Sequence, residues 1–271
     1  MRGFTRRWGG KRVVSTAAFY LGRALGERSR MLRGQVATGA PILLRSQDHA
    51  HRHIFFFARY EPEITDLFER LVKPGMTVLD VGANAGYFSL LSSDLGASVH
   101  AFEPNPGIAD MLRRSVRMGR GDVTVVTAAC SDHEGASRLH ISDEGNTAIS
   151  SLDPDAGGLG QRSIVVQTLT LDDYIAGARI KPDLVKIDAE RHEVEVIRGA
   201  DRMLRETRPD LVIEITDQQA LDEVLAYDYR AWRVTPGGLE ETTDLKPDGW
   251  ANVYLTPREG RRGVADRRLP V

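Results

Sequence analysis

Short apolar runs alternate with amphipathic stretches from Met76 to about residue 258, and this alternation is the feature that most constrains the fold. Runs such as MTVLDV, SVHAF, DLVKI and LVIEI have the length of buried strands, whereas GIADMLRRSVRM has the period of a helix with one apolar face. Strands that alternate with helices usually pair in parallel, because each helix crosses one face of the sheet. The sequence therefore predicts a doubly wound, mostly parallel sheet of the α/β class.

The turn after the first predicted strand is the strongest indication of a ligand. The segment VLDVGANAGYF passes from an apolar run through a Gly-rich turn into a helix, and ligands of open parallel sheets bind at such strand ends. Glycines let a ligand approach the backbone, and Asn84 tolerates left-handed angles. Glu103 follows Gly82 by 21 residues, at the end of the second strand, where an acid can accept ribose hydroxyls.

Two nucleotide cofactors suit this turn, and a turn that binds no ligand is the remaining alternative. A dinucleotide fingerprint has the spacing G-x-G-x-x-G and meets a diphosphate at the start of the helix. Here the spacing is G-x-N-x-G, and Asp80 precedes the first glycine by two residues. A carboxylate repels a diphosphate but attracts the ammonium group of a sulfonium amino acid. S-adenosylmethionine (SAM) therefore fits better than NAD(P).

Ionisable groups crowd the segment DLVKIDAERHEVEVIRGA, where another apolar strand gives way to a helix that we predict over residues 193–207. Alternation along the strand predicts that Lys186, Asp188 and Glu190 share one face. Methyl transfer to oxygen needs an aligned hydroxyl and a group that takes its proton. Asp188 or Glu190 is the predicted base, and His192 is the alternative because imidazole titrates near neutrality. Lys186 either joins the site or forms a structural salt bridge with Asp188.

Glu214 ends the next predicted strand and either faces the same pocket or is exposed to solvent. Together with Asp188 and Glu190 it would offer oxygen ligands of the kind that Mg²⁺ prefers. Because the sequence does not fix the distances among these carboxylates, a metal is an open alternative that we do not favour.

Five motifs, in order DVGANAGYFSLL, AFEPNP, TLDDY, VKIDAERHEVEVIRGA and LVIEI, resemble the FkbM family of SAM-dependent methyltransferases. The resemblance runs from about Tyr60 to Ile215 and implies a class I methyltransferase sheet of seven strands, with the last strand inserted antiparallel. The family usually has an acid, a glycine and a small residue where this chain has Glu190, Arg191 and His192. The resemblance implies cofactor contacts at Asp80, Gly82, Ala83, Asn84, Gly86, Glu103 and Pro104, and adenine contacts in the loop that holds Ala129, Cys130 and Asp132.

A long loop, residues 142–163, separates two further predicted strands, ASRLHIS and SIVVQTLTL. Loops of this length in compact domains are often lids or binding loops. Asn146, Ser150 and Ser151 carry short polar side chains suited to a hydroxylated substrate, and members of the resembled family often have Asn and Ser there. Ordinary loop chemistry is the alternative.

The two ends of the chain are basic. Residues 1–35 carry nine Lys or Arg and one acid, a net charge of +8, so the remaining residues carry −10 of the total of −2. We predict a basic N-terminal extension or cap over residues 1–58, a methyltransferase domain over 59–258 and a flexible basic tail over 259–271. The extension suits weak contact with an anionic surface, whereas the acidic body offers no groove for nucleic acid. HAHRH would place His49, His51 and His53 on one face of a strand. Their spacing is wide for three ligands on one metal ion, so a metal site there is an alternative that we do not favour.

Cys130 is the only cysteine, which excludes an intrachain disulfide and agrees with a reducing, cytoplasmic location. No run of 18 apolar residues predicts a membrane-spanning helix. We expect a SAM-dependent O-methyltransferase, and the resemblance implies an acceptor hydroxyl on a small molecule, a sugar or glycan, or a polyketide-type natural product. An NAD(P)-dependent oxidoreductase and a non-catalytic SAM-binding protein are the alternatives. The oligomeric state stays open.

Overall fold

The computed structural model describes residues 30–141, 150–153, 162–245 and 250–258. Asn146, most of the basic extension and the basic tail therefore lie outside the described residues. The first described part is an antiparallel hairpin followed by two helices. We call residues 30–61 the N-terminal cap. The cap contains β1 (Met31–Gln35), β2 (Pro41–Arg45) and α1 (His49–Phe57), and the second helix, α2 (Pro62–Leu71), follows it.

The strand predicted across HAHRH is wrong, because these residues form the first turns of α1. Asp48 caps this helix: its carboxylate accepts a hydrogen bond from the backbone N of His51 at 3.1 Å. The histidines therefore do not share one strand face, and His51 is buried whereas His49 and His53 are exposed. The alternation of histidine with other residues is typical of a strand, whereas Asp48 just before it is typical of a helix start.

Three strands and two helices follow in the predicted order. The second of the helices is capped by Asn105, whose side chain accepts a hydrogen bond from the backbone N of Gly107, and it begins at Pro106. These elements are β3 (Thr77–Val81), α3 (Tyr87–Asp94), β4 (Ser98–Phe102), α4 (Pro106–Met118) and β5 (Asp122–Val126).

A second, smaller sheet of four strands comes next. Its two longest strands pair antiparallel and are the two strands predicted on either side of the long loop. The strands are β6 (Ala129–Cys130), β7 (Gly135–Ile141), β8 (Ser150–Ser151) and β9 (Arg162–Leu169), in the spatial order β6-β9-β7-β8.

The remaining chain returns to the main sheet. The single helix predicted over residues 193–207 is wrong, because it is interrupted at Gly199 and continues as a π-helical segment, Met203–Thr207. A Cβ atom at Gly199 would overlap the carbonyl oxygen of Ser131, so the chain packs closely at this break. The other elements are α5 (Leu171–Ala178), β10 (Leu184–Ile187), α6 (Glu193–Arg198), β11 (Asp210–Ile215), α7 (Gln218–Leu225), β12 (Tyr229–Thr235), β13 (Gly238–Thr242) and β14 (Ala251–Pro257).

The main sheet has the strand order β13-β12-β14-β11-β10-β3-β4-β5. The five strands from β11 to β5 are parallel, and β14 is inserted antiparallel between β11 and β12. This confirms the predicted α/β class and the class I methyltransferase topology. The edge strand β13, which forms a hairpin with β12, is an eighth strand that the sequence prediction did not include. The chain order reverses between β3 and β10, and ligands of open α/β sheets bind at such a switch point.

The N-terminal cap shares an apolar core with the main sheet. Ile42, Leu44 and Ile54 are buried in the same cluster as Phe68 of α2 and Leu91 of α3. The cap is therefore held against the sheet by hydrophobic contact, while the division of the chain at residue 58 stays a prediction. No helix in the described part of the chain is long and apolar enough to cross a lipid bilayer.

Candidate active site

A cavity of about 280 Å³ opens at the carboxyl ends of β3 and β10, which is close to the lower end of the roughly 300–1,000 Å³ that small-molecule pockets occupy. The parallel register places Lys186 of β10 beside Asp80 of β3, so both side chains leave the same face of the sheet. The turn after β3 is held against the end of β4, because the backbone N atoms of Gly82 and Ala83 both donate to the carbonyl oxygen of Phe102. The site therefore lies at the switch point.

Gly82 brings the ends of β3 and β10 into contact. Its φ of 77° lies in the left-handed region, and a Cβ atom there would overlap the carbonyl oxygen of Asp188. Asn84 also has a left-handed φ, of 50°, which its short polar side chain tolerates. Gly86 starts α3 and packs against Leu112, so its place is structural and it does not line the cavity.

Asp80 is buried and keeps one carboxylate oxygen available. Its Oδ2 accepts a hydrogen bond from the hydroxyl of Ser89, whereas no donor among the described residues reaches Oδ1. Burial raises the pKa of this carboxyl, and the neighbouring ammonium of Lys186 opposes the rise. A buried, unpaired acceptor is costly, so a ligand that donates a hydrogen bond or carries a positive charge fits this oxygen.

Glu103 is held rigidly at the end of β4. Its Oε2 accepts a hydrogen bond from the backbone N of Asn84 at 2.9 Å, and its Oε1 accepts one from the backbone N of Asn105 at 2.8 Å. Burial raises the pKa of this carboxyl to about 7, although both hydrogen bonds favour the charged form. Each carboxylate oxygen has a second lone pair, so Glu103 can accept two hydroxyl groups of one ligand in a fixed orientation.

Lys186 is the buried cation of the site. Its Nζ lies 2.8 Å from Oδ2 of Asp188 and 5.0 Å from the centre of the Phe88 ring. Burial disfavours the ammonium, but the negative charges of Asp188, Asp80 and Glu61 outweigh this effect and hold the pKa of Lys186 above its usual value. The salt bridge between Lys186 and Asp188, which was one of two alternatives predicted from the sequence, is therefore present, and both residues line the cavity.

Three more carboxyl groups surround this ion pair, each from a different part of the chain. Burial, reinforced by the charge of Asp188, raises the pKa of Glu190 and of Glu214 to about 8. Burial also raises the pKa of Glu61 to about 7, against the influence of Lys186. Oε1 of Glu214 accepts a hydrogen bond from Nε1 of Trp250 at 2.7 Å, whereas Oε2 of Glu61 has no donor among the described residues. The part of the cavity around Glu61, Glu190 and Glu214 is therefore rich in protonatable groups.

The turn that carries Glu190 is strained. Glu190 and Arg191 both have left-handed φ angles, 49° and 72°, which non-glycine residues rarely adopt. The backbone N of Arg191 donates to Oε1 of Glu193, and its side chain forms a salt bridge with Asp153 at 3.2 Å. The hydroxyl of Ser151 donates to the carbonyl oxygen of Glu190. The left-handed angle of Arg191 explains why the resembled family has a glycine there, and the polar contacts hold the same backbone shape in this chain.

His192 has protein partners at both ring nitrogens. Its Nε2 lies 3.0 Å from Oγ of Ser131, and its Nδ1 lies 3.3 Å from Oε2 of Glu195. Burial lowers the pKa of this imidazole, against the influence of Glu195. His192 lines the cavity, but these two contacts join the junction to the loop after β6 and favour a positioning role over the alternative role as base.

Most of the predicted site residues meet in one cavity. Gly86, Ser151 and Asp132 do not line it: Ser151 contacts the Glu190 carbonyl, and Asp132 is exposed beside His133. The predicted residues that line it are Asp80, Gly82, Ala83, Asn84, Glu103, Pro104, Ala129, Cys130, Ser150, Lys186, Asp188, Glu190, His192 and Glu214.

The sequence prediction missed the wall that the N-terminal cap supplies. His51, Ile54, Tyr60 and Glu61 line the cavity, although they precede the cofactor turn by some 20 to 30 residues. The buried His51 was visible only as part of HAHRH, and no periodic pattern marks Glu61. Across the described ranges no group of three or more His, Cys, Asp or Glu side chains has the arrangement of a metal site.

Comparison with known proteins identifies relatives of this chain. The family described as Methyltransferase FkbM domain matches residues 80–233. The chain is 27% identical over 151 residues to the hexuronic acid methyltransferase AglP of Haloferax volcanii, a match that covers 54% of this chain and 59% of that protein, less than two thirds of its length. It is 32% identical over 186 residues to the 31-O-demethyl-FK506 methyltransferase FkbM of Streptomyces tacrolimicus, a match that covers 57% of this chain and 71% of that protein. The crystal structure of a methyltransferase FkbM from Methylobacillus flagellatus has a TM-score of 0.43 and 17% identity, covering 92% of this chain and 60% of that one.

The close approach of Gly82 to Asp188 predicts a large difference between two glycine substitutions. Gly75 has a similar φ of 84°, but a Cβ atom there meets nothing within 4 Å. Gly75→Ala should therefore cost about 1–2 kcal/mol for the left-handed angle alone, whereas Gly82→Ala should cost about 1–3 kcal/mol more for overpacking. Urea unfolding of the two variants measures the difference. Equal losses of unfolding free energy would show that Gly82 and Asp188 are not in contact.

The strained turn predicts an unusual order of stability at residue 191. Arg191→Gly relieves the left-handed strain, while its salt bridge, on a half-exposed side chain, is worth only about 0–1 kcal/mol. Arg191→Ala loses the same bridge and keeps the strain. Chemical denaturation should therefore find the glycine variant more stable than the alanine variant by about 1–2 kcal/mol. An alanine variant that equals or exceeds the glycine variant contradicts the left-handed assignment.

Proposed function

This chain belongs to the FkbM methyltransferase family, and from that premise we propose that it is a SAM-dependent O-methyltransferase. Its acceptor is a hydroxyl group of a small molecule, a sugar or glycan, or a polyketide-type natural product. The observation that carries the proposal is the presence of two buried acids at neighbouring strand ends beside the switch point. Asp80 keeps Oδ1 available at the end of β3, and Glu103 is fixed at the end of β4.

These two acids fit the charge and the hydroxyl groups of SAM. Oδ1 of Asp80 can accept from the ammonium of the amino acid part, and Glu103 can accept from the ribose hydroxyls. The Gly82 turn lets a ligand approach the backbone, and Ala129 and Cys130 provide an apolar wall for the adenine. A nicotinamide dinucleotide fits less well, because its diphosphate would lie beside buried carboxylates with only Lys186 as a compensating cation in the described cavity wall.

SAM supplies an electrophilic methyl group on a positively charged sulfur. The residues of this chain then have to place the acceptor oxygen about 3–3.5 Å from that methyl and in line with the bond that breaks. Lys186 fixes Asp188 through their salt bridge, which leaves the other oxygen of Asp188 to orient the acceptor. Glu190 is the proposed general base, because its carboxyl has a pKa near 8 and lies beyond Asp188 on the cavity wall.

The relatives support the acceptor class. One is named for a hexuronic acid and the other for the 31-O-demethyl form of FK506. The acceptor of this chain belongs by analogy to sugars or polyketides. The residues that select the acceptor are those around Glu61, Glu190 and Glu214. These three residues come from separate segments of the chain and line the same cavity.

Cofactor identity predicts a selective stabilisation. S-adenosylhomocysteine (SAH) at about 100 times its Kd should raise the unfolding free energy by roughly 2.7 kcal/mol, whereas NAD and NADP at the same concentration should not. Thermal unfolding with each ligand measures this. Asp80→Asn removes the charge of this side chain but keeps its shape. If Asp80 binds the cofactor, the stabilisation of this variant by SAH should be much smaller. Absence of any SAH response in the wild-type protein would refute the proposed cofactor.

The assignment of the base predicts a separation of binding from turnover. Glu190→Gln should bind SAH within about threefold of wild type and lose a factor of about 10²–10⁴ in kcat. Because the base acts only after losing its proton, wild-type kcat/KM should rise as the pH increases through about 8, and this rise should disappear in the variant. Labelled-methyl transfer into a panel of sugars and macrolides supplies the rates.

Glu206→Gln is the matched control, since Glu206 is exposed on the π-helical segment and does not line the cavity. It should leave both SAH binding and turnover unchanged. If Glu190→Gln keeps the wild-type kcat at every pH, another group removes the proton.

A further inference from the structure

A hydrogen bond joins the N-terminal cap to the predicted cofactor turn. Nε2 of His51, on α1, lies 3.1 Å from Oδ1 of Asn84. His51 lies outside the residues that match the family, 80–233, and it is 1% exposed. The cap therefore reaches the turn after β3 with a buried polar group, and not only with apolar contacts.

The second ring nitrogen of His51 decides which way this bond runs. Nδ1 lies 3.0 Å from the backbone N of Arg45, which is a donor, so Nδ1 accepts. A neutral imidazole that accepts at Nδ1 carries its proton at Nε2. His51 consequently donates to Oδ1 of Asn84. Burial lowers the pKa of His51 and agrees with the neutral form, although Asp48 acts in the opposite direction.

This donation fixes the side chain of Asn84 in one orientation. Because Oδ1 faces His51, the amide cannot exchange its oxygen and nitrogen without placing two donors against each other. The backbone N of the same residue donates to Oε2 of Glu103, and its φ is left-handed. One continuous series of hydrogen bonds thus runs from the Arg45 backbone through His51 and Asn84 to Glu103.

We propose that His51 is a positioning residue that holds the Asn84 turn in its ligand-binding shape before the cofactor arrives. The inference rests on the proposed function, since it takes the turn to be part of a SAM site. It assigns a specific task to one residue of the N-terminal cap: the imidazole of His51 orients the predicted cofactor turn. A ligand loses affinity when it has to order a loop itself, so removal of the bond should weaken cofactor binding.

Two substitutions at His51 separate positioning from simple packing. The side chain of Asn reaches about as far as Nδ1 of histidine, whereas that of Gln reaches about as far as Nε2. His51→Asn therefore keeps a partner for the Arg45 backbone and loses the bond to Asn84. His51→Gln keeps a donor for Asn84 and loses the acceptor for Arg45. The readout is the Kd of SAH, measured by isothermal titration calorimetry on the full chain, with the urea unfolding midpoint of each variant.

The positioning role predicts that His51→Asn weakens SAH binding about tenfold, as expected for the loss of one buried hydrogen bond. His51→Gln should stay within about threefold of wild type, even if its unfolding midpoint falls further. His49→Gln, an exposed histidine at the start of the same helix, should leave the Kd of SAH unchanged.

A purely structural His51 predicts the opposite pattern, in which the loss of SAH affinity follows the loss of stability in both variants. Two results overturn the inference: His51→Asn binding SAH as tightly as wild type, or His51→Gln binding as weakly as His51→Asn. If the wild-type protein itself fails to bind SAH, the proposed function fails, and that result is distinct from either of these two.

Discussion

The buried ammonium of Lys186 holds together a site that would otherwise repel itself. Asp80 lies beside it in the register of β3 and β10, Asp188 lies 2.8 Å from its Nζ, and Glu61 approaches from the N-terminal cap. A buried charge is tolerated only when it is paired and hydrogen-bonded. Without Lys186, these carboxylates would have to take up protons or leave the cavity. The lysine thus lets three segments of the chain bring acids to one edge of the sheet.

The same edge requires unusual backbone geometry on both sides of the cavity. Gly82 approaches the carbonyl oxygen of Asp188 more closely than any side chain permits, and Glu190 and Arg191 are both left-handed. Backbone strain of this kind persists where surrounding contacts enforce it, and it often accompanies function. Here Ser151, Asp153 and Glu193 provide those contacts. The departure from the family pattern at Arg191 therefore changes the surface of the turn while its contacts maintain the backbone shape.

Sequence reasoning found the strand ends because their physical signature is local. Apolar periodicity located β3, β4 and β10, and the rule that ligands bind at carboxyl strand ends then selected Asp80, Glu103 and Asp188. It failed where distant segments decide the structure. HAHRH alternates like a strand, yet the Asp48 cap and packing against the sheet make it helical. The helix after Glu193 breaks at Gly199, beside Ser131. His51 and Glu61 enter the site only through tertiary packing, which no short motif records.

The central claim is that the switch point between β3 and β10 is a SAM site built on Asp80 and Glu103. A crystal structure of the protein with SAH tests it most directly. The account predicts that SAH lies at the carboxyl ends of β3 and β4, with both ribose hydroxyls hydrogen-bonded to Glu103 and a donor of the amino acid part on Oδ1 of Asp80, directly or through one water. A SAH molecule bound elsewhere, or one bound at this edge with Glu103 turned away from the ribose, would contradict the account.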